Sequence, residues 1–351
     1  MGEKRRRARR AETRDTTTIK QVAERAGVST ATVSRVMAGL NGVSEELSER
    51  VWEASRALNY QPNRIARNLR VRTTRTIGVV IPNIENPFFT SVVRGIENVL
   101  QESDYALLLG SSNEDPERER FYLAMLRAEG VAGIIFVPIE TKAAAYKQLL
   151  EAHLPLVAID RALEGLKVDV VTVANAGGAR AAVEHLINRG SRRVGLITGP
   201  PTYSTARERQ AGYEQALAAA GLPVLPELIR HGDFVEAGGY QAMRALLDLS
   251  EPPTAVFVAN NMMTLGALQA IHERGLRIPA DIAIVSFDDM SWAASLQPPL
   301  TAVAQPPYEV GATAAEMMLG RLRNPDRAVR RVTLETRLIV RASCGGTNSE
   351  Q

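Results

Sequence analysis

Residue types that carry chemistry in many proteins are scarce in this chain. Of 351 residues, one is cysteine and four are histidine. A lone thiol, Cys344, supports neither a disulfide framework nor a cysteine-based metal site, and it suits a reducing compartment. The four histidines are scattered without the spacing of metal ligands. We therefore expect no metal site, no cofactor and a cytoplasmic location.

Long hydrophobic runs are also missing. The longest apolar pieces resemble VAGIIFVPI, far short of the ~20 residues that a membrane helix needs. The charged start, MGEKRRRARRAETRD, is followed by no apolar segment typical of a secretory signal. The sequence also lacks a G-x-G-x-x-G motif, a P-loop and a G-x-S-x-G elbow. We predict no membrane contact, no catalytic residue and no enzymatic activity.

Charge is distributed unevenly. The formal net charge is +3, but residues 1–76 hold 17 Lys and Arg against 8 Asp and Glu, which leaves 25 against 31 for the rest. A small basic head joined to a larger acidic body indicates a unit that faces nucleic acid and a unit with another role. Residues 1–17 are predicted to be a disordered basic tail, whose function, if any, stays open.

Residues 18–61 have the pattern of a helix-turn-helix head. Thr18 is a candidate N-cap for a first helix, and Gly27 and Val28 interrupt the apolar spacing before Ser29 caps a second. A third helix opens at Ser44 with glutamates in its first turn. An ordinary pair of packed helices is the alternative interpretation.

The second helix of such a motif enters the major groove of DNA, so its exposed face must reach base edges. Small residues allow close approach, and arginine can donate two hydrogen bonds to guanine. The predicted base contacts are Thr30, Ala31 and Arg35, and the hydroxyls of Thr32 and Ser34 are available for phosphate. Further predicted DNA contacts are Thr18, Ser29 and Ser44.

Residues 62–75 are predicted to form a linker. The segment contains Pro62 and five arginines lie within 59–76, but few side chains could build a core. One short helix, residues 63–69, is marginal, because an isolated helix of that length is largely unfolded in water. Something else must stabilise it if it forms.

From residue 76 onward, short apolar runs alternate with longer amphipathic segments. Strands are predicted within 76–82, 105–110, 132–138, 155–160, 193–199, 254–260 and 282–288. Such alternation is typical of parallel sheets covered by helices on both faces. The units are too many for one open sheet, so the predicted fold class is an all-α helix-turn-helix head plus an α/β body with two doubly wound parallel-sheet lobes.

The motifs AERAGVSTATVSRVMAG, NYQPNRIARNLR, TIGVVIPNIENPFF, ITGPPTYSTARERQAGY, FVANNMMTLGAL and IVSFDDM occur in that order. Together they resemble the lactose-repressor (LacI/GalR) family of bacterial transcription regulators over residues 18 to about 342. The resemblance implies a ligand-responsive, sequence-specific DNA-binding regulator, most often a repressor. It implies a homodimer on pseudo-palindromic operator DNA, associated with the nucleoid.

The resemblance also assigns roles to the linker. It implies a hinge helix that folds on operator DNA, where Leu69 wedges between bases with support from Asn63, Ala66 and Arg67. Ala38 departs from the family, which often has asparagine there, so one phosphate contact is expected to be absent.

For the body, the resemblance implies the type I periplasmic binding protein fold. It gives an effector-binding domain over 76–342, with an N-lobe of about 76–173 and 305–334 and a C-lobe of about 174–304 and 335–342. Residues 343–351 form a C-terminal tail without a leucine heptad, which favours a dimer.

The family's pocket positions fall on polar and aromatic residues that resemble those of ribose-type binding proteins. Such a set suits the vicinal hydroxyls and weakly apolar face of a monosaccharide, for example a pentose. A purine, a sugar phosphate or a phosphorylated protein partner are alternatives, and a transport-type sugar-binding protein is a further one. The predicted ligand contacts are Asn86, Phe88, Phe89, Asp160, Arg161, Arg209, Phe234, Asn260, Asp288 and Gln305.

Overall fold

Two units make up the computed structural model, one up to residue 74 and one from residue 75 onward. The structure describes residues 17–37, 42–60, 74–139, 142–162 and 165–345.

The first unit is a head of three helices: α1 (Ile19–Ala26), α2 (Thr30–Met37) and α3 (Glu45–Ala57). Thr18 and Ser44 are the N-caps of α1 and α3, and the Ser29 hydroxyl accepts a hydrogen bond from the Thr32 amide. Val22, Val33 and Val51, one from each helix, are fully buried in a common core. The predicted helical head is confirmed.

The turn between α1 and α2 depends on Gly27. Its φ of 66° is left-handed, which glycine adopts without steric cost. A Cβ at this position would also meet Nη2 of Arg50 at 2.7 Å, and that atom donates a hydrogen bond to the Ala26 carbonyl at 2.7 Å. The turn is therefore fixed both by the backbone conformation of Gly27 and by the hydrogen bond from Arg50 of α3.

The second unit has two lobes, each with a six-stranded sheet. The N-lobe sheet holds strands β1 (Thr76–Ile81), β2 (Ala106–Ser111), β3 (Gly133–Phe136), β4 (Leu156–Ile159), β5 (Asp169–Val173) and β11 (Arg331–Leu334). Their spatial order is β11-β5-β4-β3-β1-β2, and all neighbours are parallel. The N-lobe helices are α4 (Pro87–Glu102), α5 (Pro116–Ala128), α6 (Lys147–Glu151) and α11 (Pro307–Arg323).

The C-lobe repeats this plan with strands β6 (Val194–Thr198), β7 (Ile229–His231), β8 (Ala255–Val258), β9 (Ala283–Phe287), β10 (Thr301–Ala304) and β12 (Arg337–Ile339). Their order is β12-β10-β9-β8-β6-β7, and β12 alone runs antiparallel to its neighbour in this sheet. The helices are α7 (Asn175–Asn188), α8 (Ser204–Ala219), α9 (Glu236–Leu247) and α10 (Asn261–Glu273). Short 3₁₀ turns lie at Ala143–Tyr146, Pro226–Leu228, Ser291–Ser295 and Ala342–Cys344.

The predicted fold class is confirmed in both lobes. The central strands are mostly apolar because helices cover both faces of each sheet. Every residue of β3, β4, β6, β8 and β9 is buried. All seven predicted strands are present. The structure adds five that the sequence analysis did not identify: β5, β7, β10, β11 and β12.

The chain passes between the lobes three times, after β5, after β10 and after β11. Each sheet is therefore completed by segments that are far apart in sequence. The carboxyl ends of the parallel strands in both lobes lead into the residues of one shared cleft, which is where open α/β sheets place ligands.

Candidate functional site

Helix α2 presents the predicted base contacts to solvent. Thr30, Ala31 and Arg35 are exposed, and Thr32 and Ser34 are half-buried, while Val33 and Val36 face the core. A guanidinium group between small side chains could enter a groove and donate two hydrogen bonds to one base. The arrangement fits base reading, and the individual contacts stay predictions.

Three of the hydroxyls predicted to contact DNA belong to residues at the start of a helix. Ser29 Oγ accepts from the Thr32 amide at 3.1 Å, and Ser44 Oγ accepts from the Leu47 amide at 3.4 Å. Thr18 Oγ1 donates to Oε1 of Gln21 at 3.0 Å. These hydroxyls therefore lie at helix N-termini, where unpaired amides and the helix dipole favour an anion such as phosphate.

Some predicted DNA contacts lie outside the described residues. They are the hinge positions Asn63, Ala66, Arg67 and Leu69, together with Ala38, where the chain departs from the family pattern.

All ten predicted ligand contacts line one cleft between the lobes. The cleft holds about 510 Å³ of space between protein atoms, counting the solvent at its mouth. Five further residues line it that the sequence analysis did not include: Asn83, Asn113, Glu114, Thr205 and Val235. The structure thus brings together side chains that are spread over more than 200 positions of sequence.

Asn86 and a pair of phenylalanines come from the N-terminus of α4. Asn86 is its N-cap and accepts from the Phe88 amide at 3.0 Å. The rings of Phe88 and Phe89 pack edge to face, with centroids 5.0 Å apart, and both are buried. They give the cleft an apolar surface on which a sugar ring could stack.

Asp160 follows β4 with a left-handed φ of 64° and is 9% exposed. Burial raises the pKa of its carboxyl to about 6, although the nearby charges of Arg161 and Arg209 oppose the shift. A non-glycine residue in this conformation costs about 1 to 3 kcal/mol. Strain and burial of this kind cluster at binding sites.

Arg209, on α8, is buried and held on several sides. Its Nε donates to Oδ1 of Asn175 at 2.9 Å, and Nη1 donates to the Ala259 carbonyl at 2.6 Å. The guanidinium lies 3.8 Å from the centroid of the Phe287 ring. Burial lowers the pKa of this guanidinium, while Asp288 and Asp160 oppose the shift.

Asp288 follows β9 directly, has a left-handed φ of 76° and is buried. Its carboxylate accepts from the amide nitrogen of Asn261 at 3.2 Å and from Nε2 of Gln305. Burial raises the pKa of Asp288, against the effect of Arg209 and of these hydrogen bonds. The carboxylate is therefore oriented by both of its oxygens.

Two buried asparagines join the lobes. Nδ2 of Asn261, at the start of α10, donates to Oδ1 of Asn86 at 2.9 Å. Neighbouring Asn260 caps α10 by accepting from the Met263 amide at 2.7 Å. A ligand in the cleft would therefore meet a contact that already spans the two lobes.

Phe234 closes part of the C-lobe wall. It has a left-handed φ of 65° and stacks on Tyr203, with centroids 6.1 Å apart. A Cβ on Gly199 would lie 2.1 Å from the Phe234 ring, so only glycine admits the ring here.

Two buried polar atoms of the cleft have no hydrogen-bond partner among the described residues: Nε of Arg161 and Oε1 of Gln305. Unpaired buried polar groups are rare and costly in folded proteins. One is a donor and one an acceptor, which is what a hydroxyl-bearing ligand can satisfy.

Glu114 is the charged cleft residue that the sequence analysis missed. It lies in the loop SSNEDP, whose polar residues resemble any turn. The only signal was its place just after a predicted strand.

Within the described ranges, no group of three His, Cys, Asp or Glu side chains could hold a metal ion. In the same ranges, every helix is too short or too polar to cross a membrane.

Comparison with known protein families identifies the class of this protein. Residues 18–63 match the model of bacterial regulatory proteins of the lacI family, and residues 183–344 match a periplasmic binding protein-like domain. The chain is 37% identical over 326 residues to the ribose operon repressor of Haemophilus influenzae, covering 93% of this chain and 98% of that protein. It is 37% identical over 333 residues to the HTH-type transcriptional repressor PurR of Aliivibrio fischeri, covering 93% and 98%.

Solved structures of similar proteins agree with this class. The lac repressor dimer bound to operator and the anti-inducer ONPF has a TM-score of 0.84 at 29% identity, covering 94% of this chain and 99% of that one. A LacI family regulator from Enterococcus faecium with bound ribose has a TM-score of 0.69 at 29% identity, covering 76% and 98%. The chain belongs to the LacI family of transcriptional regulators.

Proposed function

We propose that this LacI-family repressor binds operator DNA through α2 and that an uncharged monosaccharide in the cleft controls its affinity for DNA. The observation that carries the proposal is the convergence of ten predicted sugar contacts on one cleft. The protein acts as a binding switch in the cytoplasm and catalyses no reaction.

The chemistry of the cleft favours a pentose. Its lining alternates amides, carboxylates and guanidinium groups, which bind vicinal hydroxyls, with Phe88, Phe89 and Phe234, which pack on a ring face. The relative named ribose operon repressor and the relative with bound ribose support ribose as the first ligand to test.

At the DNA end, Arg35 reads a base and Thr30 and Ala31 allow close approach. Ser29, Thr32 and Ser34 hold phosphates beside the same helix, as Thr18 and Ser44 do at neighbouring helix N-termini. Phosphate contacts set position, whereas the three residues on the exposed face of α2 set specificity.

A homodimer places one α2 in each half of a pseudo-palindromic operator. The structure of a lac repressor dimer on operator supports this assembly. An apolar edge of the N-lobe suits it as well: Leu108, on edge strand β2, is 41% exposed, and Phe121 on α5 is 63% exposed. A second copy of the chain would cover both, as edge strands otherwise invite uncontrolled pairing.

Thermodynamic linkage makes the two sites reciprocal. If the sugar changes operator affinity by some factor, operator DNA changes sugar affinity by the same factor. We assign the coupling between the sugar site and the DNA site to the predicted hinge, residues 62–75.

The sugar proposal is tested by thermal denaturation with a panel of pentoses, hexoses and nucleobases. A ligand at 100 times its Kd stabilises the protein by about 2.7 kcal/mol. We expect D-ribose or a close relative to raise the Tm of the wild type but not of Asp288→Asn. A shift with a nucleobase and with no sugar would contradict the proposal.

The operator is identified by selecting bound fragments from random-sequence DNA. We expect enrichment of a pseudo-palindrome with half-sites roughly one helical turn apart. Selected sites without internal symmetry would contradict the dimeric mode of binding.

A further inference from the structure

Glu114 points a carboxylate into the cleft from a strained loop. Glu114 and its neighbour Asn113 have left-handed φ values of 56° and 55°. The loop is held by hydrogen bonds from the Ser112 amide to the Ile81 carbonyl at 2.9 Å and from the Asp115 amide to the Ser112 carbonyl at 3.1 Å. Two consecutive non-glycine residues in this region are costly, and such strain clusters at binding sites.

That carboxylate forms a two-point pair with Arg161. Nη2 of Arg161 donates to Oε1 at 2.6 Å and Nη1 donates to Oε2 at 2.9 Å. The side chain of Arg161 is 4% exposed and that of Glu114 is 19% exposed. Parallel hydrogen bonds of this kind are the strongest that a guanidinium makes, and they occupy the edge that would otherwise grip a phosphate.

The guanidinium has further neighbours, and Nη1 also donates to the Pro138 carbonyl at 3.5 Å. One face lies 3.8 Å from the centroid of the Tyr203 ring, and Nε is 3.8 Å from Oδ2 of Asp160. Among the nitrogens of Arg161, Nε alone has no hydrogen-bond partner in the described part of the chain, and the single N–H there suits a hydroxyl better than a dianion.

The charged groups that line the cleft are three carboxylates, Glu114, Asp160 and Asp288, and two guanidinium groups, Arg161 and Arg209. With all five ionised, the lining carries one net negative charge. A buried anion needs a cation whose charge is not already compensated. Arg209 is hydrogen-bonded to Asn175 and Ala259 and compensates Asp288 and Asp160. With Arg161 paired as well, the cleft disfavours a phosphorylated ligand.

We propose that Glu114 is the specificity-determining residue that restricts this cleft to uncharged ligands by neutralising Arg161. The inference rests on the proposed function, since it concerns which sugars the cleft accepts. It goes further by naming the residue through which the cleft excludes sugar phosphates and by giving the physical reason.

The test compares full-length wild type, Glu114→Gln and Glu117→Gln by calorimetric titration with D-ribose and D-ribose 5-phosphate. Glu114→Gln keeps the shape of the side chain and removes its charge. Glu117 lies three residues away, is 80% exposed and pairs with Arg120, so its substitution is a matched control for a lost charge outside the cleft. We expect the preference for ribose over ribose 5-phosphate to fall at least tenfold in Glu114→Gln and to stay unchanged in Glu117→Gln.

Glu114→Asp separates charge from shape. It keeps the negative charge but shortens the side chain, so ribose binding weakens while rejection of ribose 5-phosphate persists. If Glu114→Gln fails to fold, Glu114→Ala removes the same charge and should show the same tenfold change in preference.

Three outcomes overturn the proposal: an equal loss of both ligands in Glu114→Gln, a wild type that prefers ribose 5-phosphate, or loss of rejection in Glu114→Asp. A wild type that binds neither compound counts against the sugar assignment itself. In that case, inorganic phosphate is used as a probe to test separately whether Glu114 excludes anions from the cleft. It should raise the Tm of Glu114→Gln and not of the wild type, and equal shifts in both would reject the role of Glu114.

Discussion

Helix α2 and the cleft both carry side chains predicted to bind a ligand, but in opposite settings. On α2 these side chains are exposed on a regular helix, and the core beneath is made by other residues. In the cleft, Asp160, Phe234 and Asp288 are buried and all three have left-handed backbone. DNA recognition thus costs the folded head little, whereas the cleft trades stability for binding.

The largest effect that would test this contrast is expected at Arg209. Arg209→Ala leaves the Asn175 and Ala259 oxygens unpaired and removes a cation that compensates Asp160 and Asp288. We expect unfolding in urea to show a loss of about 3 to 5 kcal/mol, together with loss of ligand binding. Arg180→Ala, which removes a half-exposed helix pair with Glu184, should change stability by less than about 0.5 kcal/mol.

If Arg209→Ala cost no more than Arg180→Ala, the cleft would not depend on compensation among its buried charges. The cleft and the head would then not differ in how much their binding residues affect stability.

The second effect is a gain of stability at Asp160. Its folded pKa, about 6, lies above the ordinary value of 3.8, so the ionised carboxylate destabilises the folded state at neutral pH. We expect Asp160→Asn to raise the free energy of unfolding at pH 7 by up to about 3 kcal/mol, at 1.36 kcal/mol per pKa unit. The advantage over the wild type should shrink as pH falls through 6 and vanish below about 4.

Asp281 provides the matched control, because hydrogen bonds from Arg277 hold the pKa of its carboxyl at about 2. Asp281→Asn should therefore lower stability slightly at pH 7, in the opposite direction. Two aspartates that responded alike would show that burial is not the cause.

On α2 the prediction is a functional loss without a change in stability. Arg35→Ala should weaken binding to the selected operator by about 1 to 3 kcal/mol per half-site and leave the Tm unchanged. Fluorescence anisotropy on operator and on random DNA measures both affinities. Arg56→Ala, an exposed arginine at the end of α3, is the control. An equal loss on random DNA would assign Arg35 to a phosphate.

The smallest effect sharpens the contrast within the head. Ser29→Ala removes the hydroxyl that accepts from the Thr32 amide, which should cost α2 about 1 kcal/mol. Ser34→Ala, within the same helix, should cost less than about 0.5 kcal/mol. Hydrogen exchange of the α2 amides measures both, and equal protection in the two variants would contradict the capping role of Ser29.

The ten cleft positions were predicted from the resemblance to the LacI family, and the strand ends that are visible as boundaries in the sequence agree with that prediction. Asp160, Asn260 and Asp288 each follow a buried apolar run, and parallel strands bring such positions to one edge. All ten predicted side chains lie together in the structure.

Two of the five strands that sequence reasoning missed have weak patterns. Strands β7 and β12 have three residues each and lie at sheet edges, with few apolar side chains to form a pattern. Glu114 was missed because its position depends on two left-handed residues in a loop, and nothing in a polar loop sequence reveals them in advance.

The three passages of the chain between the lobes bear on how the protein is made. The N-lobe sheet lacks β11, and α4 lacks the helix that packs on it, until residues 307–334 have left the ribosome. Synthesis at about 5 to 20 residues per second releases the head many seconds earlier. A nascent or truncated chain can thus have a folded head without a complete cleft. The effector can therefore regulate only chains whose synthesis is complete.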